Sequence, residues 1–109
     1  MKKAAVFKLA KGYFGRNKNV WTIARQKVHK GLQYSYRDRK AKKRDMRELW
    51  VTQINAATRQ HGMVYSQFIS SLAKEDVALN RKMLAELAVT EPYSFYALVS
   101  HVKERKLMN

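Results

Sequence analysis

The groups in this chain that could do chemistry are three histidines, eight carboxylates, scattered hydroxyls and 23 Lys or Arg. His29, His61 and His101 stand far apart, with no His-x-x-x-His spacing and no paired carboxylates beside them. Neither a metal centre nor a general acid–base pair therefore has its parts. No phosphate-binding loop, dinucleotide fingerprint or nucleophile elbow occurs, and Ser and Thr fall where caps and turns need them. The chain has no cysteine, which removes thiolate metal sites, thiol nucleophiles and disulfides together and fits a reducing compartment. The expectation is a protein that is not an enzyme, with no catalytic residue, cofactor, metal or small-molecule substrate.

What remains is the cations. The formal net charge is +15 over 109 residues, and a chain so charged repels itself until an anion neutralises it. The charge is unevenly placed. Residues 1–61 hold 17 Lys and Arg against 3 acids, a net of +14, which leaves +1 for residues 62–109. The densest stretch is 37–47, where Arg37, Arg39, Lys40, Lys42, Lys43, Arg44 and Arg47 accompany only Asp38 and Asp45. On a helical wheel these cations cover most of the circumference and leave no apolar face to pack against protein. A solvated helix face is the bland reading of such a run. It is disfavoured, because a helix polar all round gains too little from packing to offset its ordering entropy. RNA phosphates would supply that offset by releasing counterions.

The same chemistry extends toward the N-terminus. Lys2, Lys3, Lys8 and Lys11 precede a Gly12-Tyr-Phe-Gly15 turn, and Arg16, Lys18, Arg25 and Lys30 follow it; Arg59 lies further along. Tyr13, Phe14, Trp21, Tyr34 and Tyr36 are interleaved with them, and such rings can stack on exposed bases or pack against sugars. For Trp21, packing against a neighbouring helix and stacking on a base stay equally open. Trp50 sits in an apolar stripe and reads as core. Gly12 and Gly15 resemble the GxxG of a KH loop, but that module needs flanking strands that are absent here, so the pair reads as a turn.

The elements that must position these groups are all helical. Lys2 to Lys11 forms a short helical segment with Val6, Leu9 and Ala10 at helical spacing, closed by Gly12. A second helix can start near Asn17 or Asn19, either of which can cap it. Its Val20, Trp21, Ala24, Val28, Gly31 and Leu32 share one arc of about 120°, opposite Lys18, Gln26, His29, Lys30 and Gln33. From Met46 the pattern changes: Met46, Trp50, Ile54, Ala57 and His61 form a stripe that must face a core, and Gly62 stops the helix. Three shorter helices follow. Ser66 to about Lys74 carries Phe68, Ile69 and Leu72; Leu79 to Val89 carries Met83, Leu84 and Leu87; Pro92 to Lys106 carries Phe95, Leu98, Val99 and Val102. No strand pattern competes. The fold class is therefore all-α, with an extended basic helical N-terminal arm (residues 1–45) and a small C-terminal helical bundle (residues 46–109). The arm has only a narrow seam, so it is expected to order when RNA neutralises it.

Several segments together carry a family resemblance. They are Leu9-Ala-Lys-Gly-Tyr-Phe-Gly15, Leu32-Gln-Tyr-Ser-Tyr-Arg-Asp-Arg-Lys40, Lys43-Arg-Asp-Met-Arg-Glu-Leu-Trp50, Ile54-Asn-Ala-Ala-Thr-Arg-Gln-His-Gly62, Tyr65-Ser-Gln-Phe-Ile69 and Leu79-Asn-Arg-Lys-Met-Leu-Ala-Glu-Leu-Ala88. From about Phe7 to Val99 the chain closely resembles the L-twenty family of large-subunit ribosomal proteins. That resemblance implies a structural constituent that binds large-subunit ribosomal RNA, supports assembly early, and touches neighbouring large-subunit proteins. Bacterial members usually begin with a further basic stretch before the Leu-Ala-Lys-Gly segment, and most of it has no counterpart here. That start and the Glu91-Pro-Tyr-Ser-Phe95 segment look more like mitochondrial members, which implies a mitochondrial ribosome, with bacterial cytoplasm or plastid as alternatives. Met1 to Phe14 is basic and amphipathic, yet has no Arg before Arg16 and no Ser before Ser35, so it reads as mature protein rather than a cleaved targeting peptide.

Two other readings compete. A free translational repressor would use the same RNA surface. A membrane-active basic helix would need a lipid-facing side, which the scattered cations of 37–47 do not leave. No uncharged run approaches the ~20 residues of a membrane span, so no membrane partner is expected.

Overall fold

A computed structural model describes residues 2–108, the side chains of residues 107 and 108 excepted. Every regular element among them is helical: α1 (Lys3–Leu9), a 3-10 turn (Gly15–Lys18), α2 (Trp21–Gln60), α3 (Tyr65–Lys74), α4 (Arg81–Thr90) and α5 (Pro92–Met108). The contacts divide the chain into two compact units, residues 1–43 and 44–109, and the 40-residue α2 contributes to both.

In the first unit α1 ends where the Ala10 amide donates to the Val6 carbonyl at 2.9 Å and the Tyr13 amide donates to the Ala10 carbonyl at 3.0 Å. Gly12 (φ +87°) and Gly15 (φ +61°) bracket the turn in the left-handed region that L side chains resist. The entry to α2 differs from expectation. Asn17 lies inside the 3-10 turn and Asn19 just after it, so neither stands next to Trp21; the first turn of α2 is instead led by Val20, whose carbonyl accepts from the Ala24 amide at 2.7 Å.

The narrow seam expected of residues 1–45 is filled from within that stretch. Val6 and Ala10 from the α1 segment bury with Ala24 and Val28 of α2, flanked by half-buried Phe7, Tyr13 and Trp21. Phe7 and Trp21 rings lie 6.0 Å apart at 58°, within the range of attractive tilted aromatic pairs. The turn therefore returns the N-terminal segment to the seam that the helical wheel identifies. Leu9 and Leu32, both placed on apolar faces by their spacing, stay about half exposed, at 49% and 47%.

In the second unit Ile54, Met63, Phe68, Leu72, Leu84, Ala85, Phe95, Val99 and Val102 form one buried cluster. Helix α5 packs against both α3 and α4, and its Phe95, Val99 and Val102 repeat at the spacing that keeps one helical face inward. Phe68 and Phe95 meet at 5.5 Å between centroids. The C-terminus of α2 closes with paired reverse bonds: Gly62 (φ +80°) donates to the Arg59 carbonyl and Met63 to the Thr58 carbonyl, each at 3.0 Å, and the Met63 side chain enters the core. The Lys103 ammonium also donates to the His61 carbonyl there. Helix α3 ends the same way with Asp76 (φ +55°) in the glycine role, its amide on the Ala73 carbonyl and the Val77 amide on the Leu72 carbonyl. Asp tolerates that conformation better than most side chains, and sequence periodicity gave no sign of it.

Helix α4 begins two residues later than its apolar pattern suggests, because the Asn80 side chain accepts from the Met83 amide at 2.9 Å and so caps Arg81 as the first helical residue. Leu79, before the cap, and Met83, within the helix, are both exposed (39% and 43%), not core. Trp50 is also corrected. It packs against the cluster's edge half-buried, and Met63 and Ala85 take interior places that the sequence reading leaves out.

Candidate nucleic-acid interface

The helical surface sets which cations are available. In the first unit Lys2, Lys3, Lys8, Lys11, Arg16, Lys18, Arg25 and Lys30 are all exposed. So are Arg37, Arg39, Lys40, Lys42 and Lys43, and beyond them Arg44, Arg47 and Arg59 of the second unit. Among the described residues just two ion pairs form, Arg37 with its neighbour Asp38 at 3.1 Å and Arg105 with Glu75 at 3.4 Å. The cations of α2 between Arg39 and Arg47 therefore make no ion pair among the described residues, although Asp38 and Asp45 lie in the same stretch, and no Gly or Pro interrupts α2 after Gly31.

The aromatic side chains divide by environment. Trp21 is half-buried against Phe7, and the Lys3 ammonium stands 5.5 Å from its ring centroid, so the ring takes part in packing within the unit. Tyr13 is half-buried too. An ideal Cβ on Gly31 would lie 2.9 Å from its hydroxyl, so a side chain there would make the Tyr13 hydroxyl shift. Tyr34 and Tyr36 are exposed at 48% and 58%. Each carries a cation over its ring: Arg37 stands 4.8 Å from the Tyr34 centroid and Lys40 4.4 Å from that of Tyr36. The Lys40 ammonium also donates to the Tyr36 hydroxyl at 2.9 Å. Helical spacing of three and four residues makes both pairs, and it fixes flexible side chains that would otherwise wander. Arg39 donates to the Ser35 hydroxyl and Arg59 to the Asn55 side-chain oxygen, each at 3.1 Å.

Lys27 is absent from the cations that the sequence singles out, and Phe14 stands out there only as one of several interleaved rings. Lys27 is exposed between Gln26 and Lys30 on the polar side of α2, where the helical wheel itself could have found it. Phe14 is 92% exposed, which no periodicity reveals, because it stands in a turn. Val6, Val28 and Leu32 with Arg25 and His29 line an open hollow of about 190 Å³ beside the first unit's core. Among the described residues no group of His, Cys, Asp or Glu is placed to hold a metal ion, and no helix is long and apolar enough to cross a membrane.

The fold and surface define a small, strongly basic all-α protein that displays uncompensated cations along one long helix. Residues 1–98 match the family model described as ribosomal protein L20, and the chain belongs to that family. It is 60% identical over 98 residues to the large ribosomal subunit protein bL20 of Magnetococcus marinus, covering 90% of this chain and 84% of that protein. The bL20 proteins of Cytophaga hutchinsonii and Methylorubrum populi are 53% and 55% identical over 103 and 102 residues, covering 94% of this chain in both cases and 90% and 84% of theirs. These relatives are bacterial, and the mitochondrial resemblance drawn from the Glu91–Phe95 segment has no support among them.

Proposed function

We propose that this chain is a structural, non-catalytic constituent of the large ribosomal subunit that binds large-subunit ribosomal RNA and supports its assembly. The observation that carries this is the run of exposed cations on α2 between Arg39 and Arg47, which no acidic side chain of the described residues pairs. Phosphates are the ligands such a surface fits: they lie along a continuous backbone, and each neutralised phosphate releases counterions. Residues 1–45 act as the RNA-binding arm and residues 46–109 as the folded body that also meets neighbouring large-subunit proteins. The proteins it is similar to are named for the large ribosomal subunit, which supports the same reading. Their bacterial origin gives the bacterial cytoplasm at least as much support as a mitochondrion for the place of action.

The test is the salt dependence of binding to protein-free large-subunit ribosomal RNA. Each phosphate contact adds roughly 0.7 to 0.9 to the slope of log affinity against log salt. Replacing Arg39, Lys43 and Arg47 by Gln should weaken binding and lower that slope by about 2 to 3. An unchanged slope would mean that these cations are solvated and the proposal misplaces the interface. Sedimentation of the native protein separates a ribosomal constituent, which travels with large subunits, from a free translational repressor, which does not.

A further inference from the structure

The N-terminal turn holds a ring in water with more structure than a ring needs if it does nothing there. Phe14 is 92% exposed, the most exposed large apolar side chain among the described residues. Its backbone is pinned on both sides: the preceding Tyr13 amide donates to Ala10, and the Phe14 carbonyl accepts from the Asn17 amide at 3.3 Å as the 3-10 turn begins. Gly12 and Gly15, both at positive φ, reverse the chain immediately before and after the aromatic pair. Tyr13 turns inward onto Gly31, its hydroxyl 2.9 Å from where a Cβ would stand. Adjacent residues therefore have opposite roles: Tyr13 anchors the turn on α2, and the anchored turn holds Phe14 outward.

A lone exposed apolar residue is ordinary on a protein surface. What sets Phe14 apart is its electrostatic setting. Asp38 is the first acidic residue in the chain, so residues 1–37 carry ten Lys and Arg with no acid among them. Lys11, Arg16 and Lys18, all exposed, lie on either side of the ring in sequence. An apolar protein surface would gain the ring but leave these cations facing a dehydrated interface, which is costly. A nucleotide satisfies both needs, since its base offers a π-face and its phosphate a counter-charge.

We propose that Phe14 is an RNA-stacking residue, that it takes an unpaired base of the bound RNA, and that Tyr13 and Gly31 are its positioning residues. The inference rests on the ribosomal-RNA reading above and names a subsite within it. Base stacking on a ring is tolerant of base identity, so the contact is to an unpaired nucleotide rather than to a particular base.

The test uses the full chain and protein-free large-subunit ribosomal RNA. Phe14→Ala should lower affinity about 5- to 150-fold, the range found for removing one base–aromatic stack, while the salt slope stays as in the parent, because no charge is lost. Phe14→Leu should lose as much, and Phe14→Trp should retain binding. Gly31→Ala should weaken binding by displacing Tyr13, and adding Tyr13→Phe, which removes the crowding hydroxyl, should restore it. A photoreactive phenylalanine at position 14 should crosslink to a nucleotide in assembled subunits. Parent-like affinity for Phe14→Ala or Phe14→Leu, or a crosslink to protein, would overturn the subsite and leave the wider reading standing. Failure of the parent chain to bind this RNA would overturn both.

Discussion

Truncating Phe68 and truncating Trp50 should have very different consequences, although the sequence places both in apolar stripes. Phe68 is fully buried and meets Phe95 at 5.5 Å, so Phe68→Ala removes a whole transfer term, leaves a closed cavity and loses an aromatic pair. The expected cost is about 3 to 5 kcal/mol. A unit of this length has roughly 3 to 10 kcal/mol of stability, at about 0.05 to 0.15 kcal/mol per residue, so the variant should lose a third or more of it and, at the low end of that range, unfold at room temperature. Trp50 is only half-buried at the cluster's edge, beside open hollows lined by Arg47, Lys82 and Val89. The part of its indole already in water has no transfer term to lose, and the gap left by truncation opens to solvent, so Trp50→Ala should cost about 1 to 3 kcal/mol. Urea titration followed by far-ultraviolet circular dichroism measures both, with the midpoint shifting at constant m for Trp50→Ala. A Trp50→Ala loss equal to or larger than that of Phe68→Ala would refute the assignment of the core. Unchanged stability with lost RNA affinity would instead place Trp50 on RNA.

Two smaller perturbations check the helix ends. Asn80→Ala removes the acceptor for the Met83 amide and should cost about 1 kcal/mol in the same titration, whereas Asn80→Gly should cost only a few tenths. Gly62→Val forces a β-branched residue to φ +80° beside Lys103 and should cost about 1 to 3 kcal/mol; a neutral result would mean that α2 does not end in the left-handed turn described.

The helices of the second unit are legible because periodicity, capping and proline agree. Phe95, Leu98, Val99 and Val102 announce the buried face of α5, Pro92 its first turn and Gly62 the end of α2. What escapes is decided by groups that carry no period. Met63 is interior because the reversal at Gly62 carries it there, and Leu79 is exposed because it precedes the asparagine cap at which the helix starts. The core of the first unit was half visible. The helical wheel shows the seam of Ala24 and Val28, but only the geometry of the turn brings Val6 and Ala10 to it. The cations of the candidate interface are read directly from charge density. The orientation of Phe14 against Tyr13 is not, since a turn has no repeating face from which to infer it.

Between Arg39 and Arg47 α2 buries no side chain, whereas Ile54 and Thr58 further along it are core, and this separates the two kinds of evidence a mutation can give. Ile54 and Thr58 are fully buried, whereas Arg39, Lys40, Lys42, Lys43, Arg44 and Arg47 are exposed and unpaired among the described residues. Exposed substitutions away from caps and cores usually change stability by no more than about 0.5 kcal/mol. Removing like charges from a chain of +15 relieves self-repulsion besides. The Arg39, Lys43 and Arg47 to Gln variant should therefore melt at or slightly above the parent's temperature while binding RNA less well. Stability and affinity falling together would show instead that these cations hold the protein's own helices in place, a role that a surface with no carboxylate partner gives no physical means to perform.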